Sequence, residues 1–318
     1  MYIPKLAIII PCYNEEECIP ETTSRLLDII KNLEKENIIT SDSFIFYVSD
    51  GSTDRTWELV RKYNTDTNGK VKGIQFSRNF GNQRAILAGL LEASKIGADC
   101  YISIDADLQQ DELKIKEFIE KYNNGAQIVC GVRKDRKTDG IFKKYSALAF
   151  YKLMNLLGAD IRVNHSDYRL VSNEVVKTLE KFREKNLFLR GMFNKIGYKK
   201  DYVYFDVKQR KAGKSKFGTM SLFALAVSGI TSFSIVPLRL VTFTGIIMSL
   251  TSFAVGLSAL IDKLIGHSVV PGWATIVVVL GFVGGIQILC IGIIGEYLGQ
   301  LFEEVKSRPR YIIEEELD

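Results

Sequence analysis

The stretch Ile102-Ser103-Ile104-Asp105-Ala106-Asp107-Leu108-Gln109 is the one from which the fold is inferred, because an apolar, β-favouring run ends abruptly in two carboxylates. Residues two apart lie on the same face of an extended strand, so Asp105 and Asp107 approach a common point at the strand end. With the amide oxygen of Gln109 they form an oxygen-only ligand set, suited to Mg²⁺ or Mn²⁺ held jointly with a substrate phosphate. The alternative is a solvated turn, and the rest of the chain favours the metal site.

Other apolar runs on either side of this stretch also have the length and composition of buried strands. The predicted strands are Lys5–Pro11, Phe44–Val48, Lys72–Ser77, Tyr101–Ile104 and Gln127–Val132. Helical segments separate the first four, ending near Leu33 in the first case and spanning Arg55–Tyr63 and Asn82–Ile96 in the next two. Strands that alternate with helices at this spacing predict an α/β fold, a mostly parallel, doubly wound (Rossmann-like) sheet with helices on both faces.

Polar clusters follow three of these strands, at Tyr13–Glu15, at Asp50 and at Asp105–Gln109. Ligands of doubly wound sheets bind outside the carboxyl ends of the strands. We therefore expect the three clusters to form one site.

Composition excludes several classes of function. The formal charge of +5 over 318 residues is too modest to suggest a nucleic-acid partner. The five cysteines (Cys12, Cys18, Cys100, Cys130, Cys290) have neither metal-binding nor disulfide-like spacing, which indicates reduced thiols facing a cytosol. Two histidines, His165 and His267, leave little scope for a zinc site or a Ser-His-Asp triad. Met1 leads almost directly into a strand, so we expect no signal peptide.

Four motifs in a fixed order carry a resemblance to a known family. They are Ile-Pro11-Cys-Tyr-Asn-Glu-Glu, Ser49-Asp-Gly-Ser-Thr-Asp, Ser77-Arg-Asn-Phe-Gly and Asp105-Ala-Asp-Leu-Gln. Over residues 5 to 310 the chain resembles glycosyltransferase family 2 with its nucleotide-sugar-binding GT-A fold. Within that family it is most similar to the polyisoprenyl-phosphate glycosyltransferases, which include bactoprenol glucosyltransferases and dolichyl-phosphate mannose synthase. One departure is Ser49-Asp50, where the family usually has Asp-Asp. The second Asp is kept, so we expect donor binding to survive.

The resemblance implies a site for the base and ribose of the donor nucleotide. Its residues would be Pro11, Tyr13, Glu15, Val48 and Asp50. An aromatic face suits a base, and carboxylates accept hydrogen bonds from uracil N–H or ribose hydroxyls. For Glu15 and Glu16 the alternative is stabilisation of a helix start. We interpret Asp54 as the cap of the helix that begins at Arg55.

The resemblance also places the donor diphosphate and its metal at Asp105, Ala106, Asp107 and Gln109. Asp107 is the expected direct ligand, Asp105 contacts the ribose or the metal, and Gln109 supports them. Arg133 resembles the family's arginine at the diphosphate, where a fork of donors matches phosphate geometry. A solvated basic loop is the alternative at that position.

The segment Asp167-Tyr168-Arg169-Leu170 resembles the family's Asp-Phe-Arg-Leu, whose Asp acts as catalytic base or positions the acceptor. A phosphate acceptor is already anionic near neutral pH, so Asp167 is as well suited to orientation as to proton removal. The resemblance places Arg210 and Lys216, in the basic loop Lys208–Lys216, at the phosphates of the donor. Attraction to anionic lipid headgroups is an alternative for this loop that is compatible with the first.

Long uncharged stretches follow this basic loop. About 22 uncharged residues lie between Arg239 and Asp262 and about 32 between Lys263 and Glu296, each enough to cross a bilayer as a helix. Basic residues at the outer ends predict a two-helix hairpin with both ends cytosolic. We interpret residues 217–238 as an interfacial amphipathic helix, with a third crossing as the alternative. Glycines within 281–295 suggest close helix packing and a homo-oligomer.

These observations predict a catalytic domain (1–216), an interfacial segment (217–238), two transmembrane helices (239–299) and a cytosolic tail (300–318) in the cell membrane. The expected reaction is inverting transfer of a sugar, glucose before others, from a UDP-sugar to undecaprenyl phosphate, with Mg²⁺ or Mn²⁺. Alternatives are the same reaction with another nucleotide sugar, a processive synthase, or a non-catalytic scaffold that binds nucleotide sugar. The family's processive members carry Gln-x-x-Arg-Trp, whereas the two tryptophans here, Trp57 and Trp273, lie in other contexts.

Overall fold

A computed structural model describes residues 2–134, 165–182, 184, 189–207, 236–265 and 272–318. The chain divides into two compact units. The sheet unit comprises the described residues up to Val207 together with Arg308–Asp318, and the helical unit comprises those from Val236 to Ser307.

The sheet unit contains eight strands in the described part of the chain: β1 (Leu6–Cys12), β2 (Phe44–Ser49), β3 (Val71–Phe76), β4 (Cys100–Ser103), β5 (Ile128–Arg133), β6 (His165–Ser172), β7 (Lys200–Phe205) and β8 (Ile313–Leu317). They lie in the order β7-β5-β6-β4-β1-β2-β3-β8. Every residue of β1 and β2 is buried, as both-sided coverage of a parallel sheet requires. The expected Rossmann-like, mostly parallel sheet is therefore confirmed, and its five predicted strands are β1 to β5.

Helices cover both faces of this sheet. They are α1 (Ile19–Lys35), α2 (Thr56–Asp66), α3 (Asn82–Ile96), α4 (Ile115–Asn123), α5 (Asn173–Glu180) and α6 (Leu189–Lys195), with a single 3₁₀ turn at Glu112–Lys114. The helix Asn82–Ile96 has its predicted bounds, and α2 begins one residue later than expected. Two buried apolar clusters, one on each face, form the core.

Two strands interrupt the parallel order that the sequence predicted. Strand β6 lies antiparallel between β4 and β5, and β8 pairs antiparallel with β3 at the edge of the sheet. Residues 300–318 were expected to form a tail, whereas the end of the chain forms part of the sheet. Glu315 on β8 accepts hydrogen bonds from Trp57 Nε1 at 3.0 Å and Arg61 Nε at 2.8 Å. The domain limits proposed from the sequence stay predictions.

The helical unit contains α7 (Val236–Leu264) and α8 (Trp273–Val305). Among the described residues, one stretch is long and apolar enough to cross a membrane: Val279–Val305 of α8, with 27 residues and a mean hydropathy of 1.9. Helix α7 contributes a shorter apolar stretch, Val241–Ala254. The described structure thus supports one crossing by length and composition, and the second helix of the predicted hairpin is not confirmed.

Candidate functional site

The carboxyl ends of β4, β1 and β2 lie side by side. Ile9 pairs with Ser103 on one side of β1, and Cys12 pairs with Ser49 on the other. The residues that follow these strands therefore lie together at one edge of the sheet, the edge formed by the carboxyl ends of the strands, as predicted. This edge carries Tyr13, Glu15, Asp50, Asp105 and Asp107.

Hydrogen bonds between backbone N–H groups and side-chain oxygens join the loop after β1 to the loop after β2 and to the start of α2. Asn14 has a left-handed φ of 53°, and its N–H donates to Ser52 Oγ at 3.1 Å. Its side-chain oxygen accepts the Thr53 N–H at 2.8 Å, and the Glu15 N–H donates to Thr56 Oγ1 at 2.9 Å. Hydrogen bonds between these two loops set where Tyr13 and Glu15 stand.

Asp54 bonds to the backbone at the start of α2, although the N-cap residue is Arg55 and the helix begins at Thr56. Its carboxylate accepts the Thr56 N–H at 3.0 Å and the Glu16 N–H at 3.2 Å. Glu16 in turn accepts the Arg55 N–H at 3.1 Å. Both acidic residues therefore bond to backbone at the helix start.

Asp50 is 3% exposed and holds a neighbouring loop. Its two oxygens accept the N–H groups of Phe80 at 2.6 Å and Gly81 at 2.9 Å. Burial raises the pKa of this carboxyl, while the two backbone donors and the charge of Arg84 act in the opposite direction. The motif Ser77–Gly81 is thus bound to β2 through Asp50. A contact between Asp50 and a nucleotide stays a prediction.

The loop after β2, which carries Asp50, requires a glycine at position 51. Gly51 has a φ of +66°, and a Cβ there would lie 2.2 Å from the backbone carbonyl carbon of Arg78. Gly81 offers a matched comparison, because its φ is +97° but nothing lies within 4 Å of an added Cβ.

We expect Gly51→Ala to destabilise the protein more than Gly81→Ala. Backbone strain alone would cost about 1–3 kcal/mol in Gly81→Ala. The clash with Arg78 adds roughly 1–3 kcal/mol in Gly51→Ala. Thermal unfolding of both variants beside the wild type measures the difference, and equal melting temperatures would contradict the close approach of the two loops.

The loop after β4 is strained at the predicted metal site. Leu108 adopts a φ of 48°, which a residue with a large side chain rarely takes, and it is nevertheless buried. The Ala106 carbonyl accepts the Thr22 hydroxyl at 2.6 Å, and Asp107 Oδ1 accepts the Gln109 N–H at 3.1 Å. Strained conformations of this kind occur where surrounding contacts hold a functional loop in place.

Gln110 belongs to the site although the sequence did not predict it. It is 1% exposed, and its Nε2 donates to Asp105 Oδ2 at 2.6 Å. Its Oε1 accepts the Asp105 N–H at 3.0 Å. Support of the carboxylates was expected from Gln109, whose backbone N–H bonds to Asp107. The sole signal in the sequence was a second glutamine directly after the first.

Strand β6 brings Asp167 to the same part of the sheet. The Ser103 hydroxyl donates to the Asp167 carbonyl at 2.5 Å, which ties β6 to the end of β4. Gln83 Nε2 donates to Asp167 Oδ2 at 3.3 Å, and Gln83 Oε1 accepts the Leu189 N–H at 3.3 Å. The carboxylate is therefore oriented by α3, which itself contacts the start of α6.

Arg169 stands two residues further along β6 and was not predicted either. It is 4% exposed, and its guanidinium lies 4.2 Å from the centre of the Phe193 ring. Its Nε has no hydrogen-bond partner within the described residues. Asp167 and Arg169 line one small cavity, together with apolar side chains of α3 and α6.

Arg133 ends β5, whose carboxyl end lies at the same edge of the sheet because β4 and β5 are both antiparallel to β6. Its Nε is buried and makes no hydrogen bond in the part of the chain described. An unpartnered guanidinium nitrogen suits an incoming anion. Arg210, Lys216 and residues 217–235 of the predicted interfacial segment lie outside the described residues.

The metal ligands available at this site agree with a metal ion that is also bound by the substrate. Across the described ranges, no group of three His, Cys, Asp or Glu side chains could hold a metal ion. Asp105 and Asp107 supply carboxylate oxygens, so remaining ligands would be water or phosphate oxygens, as Mg²⁺ prefers. The residues present fit that role.

The comparisons with known proteins agree on one family. Residues 7–180 match the family described as glycosyl transferase family 2. An uncharacterized glycosyltransferase of Bacillus subtilis (strain 168), YkoT, is 46% identical over 314 residues, which cover 99% of this chain and 92% of that protein. The SfII prophage-derived bactoprenol glucosyl transferase of Shigella flexneri is 39% identical over 312 residues, covering 97% of each chain.

Among solved structures, the mannosyltransferase PcManGT from Pyrobaculum calidifontis in complex with GDP-Man and Mn²⁺ is 14% identical with a TM-score of 0.44, covering 96% of this chain and 87% of that chain. A similarity at this level has no bearing on the ligands of the present chain.

Proposed function

The chain belongs to glycosyltransferase family 2, and from this premise we propose that it transfers one sugar, glucose before others, from a UDP-sugar to a polyisoprenyl phosphate such as undecaprenyl phosphate. The observation that carries the proposal is the 39% identity to a bactoprenol glucosyl transferase over nearly the whole of both chains. The match covers the residues of α7 and α8 as well as those of the sheet unit.

The donor would bind at the carboxyl ends of β1, β2 and β4. Pro11, Tyr13, Glu15, Val48 and Asp50 would surround the base and ribose, as the family resemblance implies. The tied loops after β1 and β2 support this assignment, because a site that is already ordered loses little entropy when it binds a ligand.

The diphosphate would bind next to Asp105, Ala106, Asp107 and Gln109. Asp107 and Asp105 would hold Mg²⁺ or Mn²⁺, which when bound neutralises the charge of the leaving diphosphate. Arg133 would bind the same phosphates, which agrees with its unpartnered Nε. Arg210 and Lys216 are proposed to contact the donor phosphates from their own loop.

The reaction would be an inverting displacement. An oxygen of the lipid phosphate attacks the anomeric carbon, the bond from that carbon to the UDP oxygen breaks, and the electron pair leaves with UDP. The attacking oxygen is already negatively charged, so no proton has to be removed from it. Asp167 would then orient the acceptor or a cation beside it, with base catalysis as the alternative role.

Replacing Asp167 with asparagine distinguishes these two roles. If Asp167 is an essential base, we expect turnover to fall about 10²–10⁴-fold at every pH. If it positions the acceptor, the loss should be smaller and partly recovered at high acceptor concentration, which is the outcome we favour. Initial rates over a range of lipid phosphate concentrations provide the measurement. Wild-type kinetics in the variant would exclude both roles.

The membrane part is proposed to be a hairpin of α7 and α8 with both ends in the cytosol. Basic residues before α7 and after α8 agree with this orientation. The segment proposed to lie along the interface, residues 217–238 by the sequence, would end where α7 begins at Val236. The glycines of α8 would permit close packing in a homo-oligomer. The phosphate of the acceptor would lie at headgroup depth.

A product analysis tests the proposal. Purified full-length protein is incubated with undecaprenyl phosphate and a panel of nucleotide sugars, and the lipid product is identified by mass spectrometry. We expect one hexose per lipid with UDP-glucose. Transfer from another nucleotide sugar alone would change the donor, several sugars per lipid would indicate a processive synthase, and UDP binding without turnover would indicate a scaffold.

A further inference from the structure

We infer that Gln110 is a positioning residue, which fixes the carboxylate of Asp105 and joins the donor side of the site to the strand that carries Asp167. The inference rests on the proposed function, because it assumes that Asp105 faces the donor. It goes beyond that function in assigning a task to a side chain outside the motif Asp105–Gln109.

The orientation of the amide is fixed by its two bonds to one residue. Gln110 Oε1 accepts the Asp105 N–H at 3.0 Å, and this bond requires the oxygen at that position. Nε2 is therefore the atom that faces Asp105 Oδ2 at 2.6 Å. One side chain thus binds both the backbone and the carboxylate of Asp105, which removes rotational freedom from the carboxylate.

The donor capacity of the amide is fully used within the protein. The remaining Nε2 hydrogen points to Ser166 Oγ at 3.2 Å. An amide nitrogen has two hydrogens, so both are engaged. Because Gln110 is also 1% exposed, it is placed to orient Asp105 and does not itself reach a ligand.

Ser166 connects this amide to β6. Its Oγ also accepts the N–H of Tyr168 at 3.3 Å. Ser166 precedes Asp167 and Tyr168 follows it, so this bond spans Asp167. The Tyr168 hydroxyl donates to the Asp111 carbonyl at 3.0 Å, directly after Gln110 in the chain. One buried and one partly buried hydrogen bond therefore hold β6 against the loop that carries Asp105 and Asp107.

The chemistry requires a neutral donor at this position. A glutamate would keep the length and the acceptor for the Asp105 N–H, but its second oxygen would face Asp105 Oδ2 without a hydrogen. Two carboxylates at this distance in a buried site either repel each other or share one proton. Asp105 would then lose either the orientation that Gln110 imposes or part of its negative charge.

The test uses full-length protein and four variants. Gln110→Glu replaces the donor, and Gln110→Met removes both bonds without adding charge. Ser166→Ala removes the bond between Gln110 and β6 and leaves the bonds to Asp105. The control is Gln127→Glu, the same substitution at a half-buried glutamine. Gln127 precedes β5 and therefore lies at the amino end of that strand, away from the site. UDP affinity is measured by calorimetry in EDTA and in Mn²⁺, with melting temperatures and the KM values of UDP-glucose and lipid phosphate.

We expect both Gln110 variants to weaken UDP binding and to raise the KM of UDP-glucose about tenfold, the scale of a lost buried hydrogen bond to a charged group. In Ser166→Ala, UDP affinity and the KM of UDP-glucose should each change less than threefold. In Gln127→Glu, both quantities should match those of the wild type. The KM of lipid phosphate at saturating donor should change less than that of UDP-glucose.

The inference is overturned if Gln110→Met folds with a wild-type melting temperature and binds UDP as the wild type does. It is also overturned if Ser166→Ala has the same effect as Gln110→Glu, since packing rather than orientation of Asp105 would then be responsible. If the wild type binds UDP but transfers nothing to lipid, the acceptor proposal fails while the binding comparison still decides the role of Gln110. A wild type that binds no nucleotide overturns both.

Discussion

Replacing Asp107 with asparagine is expected to reduce sugar transfer at least a hundredfold, within the range of roughly 10²–10³ for losing one group that stabilises transition-state charge. Asparagine keeps the shape of the side chain, and its oxygen can still accept the Gln109 N–H that closes the strained loop. The variant should therefore stay folded while it loses the charge that, in the proposed mechanism, would hold a divalent cation next to the departing diphosphate.

Initial rates at saturating UDP-glucose and Mg²⁺ or Mn²⁺ measure this loss, with melting temperatures to confirm the fold. A suitable control is Asp66→Asn, the same substitution at the exposed end of α2. Removing the metal should have the same consequence, so the wild type should lose activity in EDTA and regain it when Mn²⁺ is added. Undiminished transfer in EDTA would contradict the role assigned to Asp107.

Much of this site could be predicted because its signals are local. The strands β1, β2 and β4 are largely apolar runs, and a polar residue of the site follows each of them within two positions. Parallel topology then brings those ends together without further information. The positions of Tyr13, Asp50 and Asp105 at one edge follow from these two facts.

Strands β6, β7 and β8 were not predicted, and of these β6 and β8 lack that local signal. In β6, His-Ser-Asp-Tyr-Arg-Leu-Val-Ser, polar residues are buried because they face the site, so no apolar run marks the strand. In β8, Ile-Glu-Glu-Glu-Leu, three glutamates lie at the edge of the sheet, where Glu315 bonds to side chains of α2. Both strands are defined by partners distant in sequence, which periodicity does not reveal.

The roles of Gln110 and Arg169 could not be predicted for a similar reason. Gln110 is identified by its contact with Ser166, 56 residues away, and Arg169 by its position over Phe193. The resemblance implies support from Gln109, which stays a prediction, and the structure adds the neighbouring Gln110, whose amide contacts Asp105. In a loop with a left-handed Leu108, the side chain that reaches Asp105 depends on backbone angles rather than on spacing.

The largest effect on the overall reaction is expected when the membrane part is removed and the sheet unit is kept complete. We would replace residues 219–307 with a flexible Gly/Ser linker and retain Arg308–Asp318, because the last strand belongs to the sheet unit. UDP binding should stay close to that of the wild type. Glycosylation of undecaprenyl phosphate in vesicles should fall about 10²–10⁴-fold, because the enzyme and its acceptor would no longer be held together at one surface.

A truncation after residue 216 is the informative comparison, since it removes β8 together with the membrane part. It exposes the edge of β3 and deletes the hydrogen bonds from Trp57 and Arg61 to Glu315. The stacking of Tyr311 on Phe76, with ring centres 5.2 Å apart, is lost as well. We therefore expect the truncated protein to melt at a lower temperature and to bind UDP more weakly than the linker variant.

If the linker variant glycosylates lipid at the wild-type rate, or transfers sugar efficiently to a water-soluble acceptor, the proposal of a membrane-embedded lipid phosphate as acceptor is wrong. If the two variants are equally stable, the pairing of β8 with β3 contributes nothing to the fold of the sheet unit.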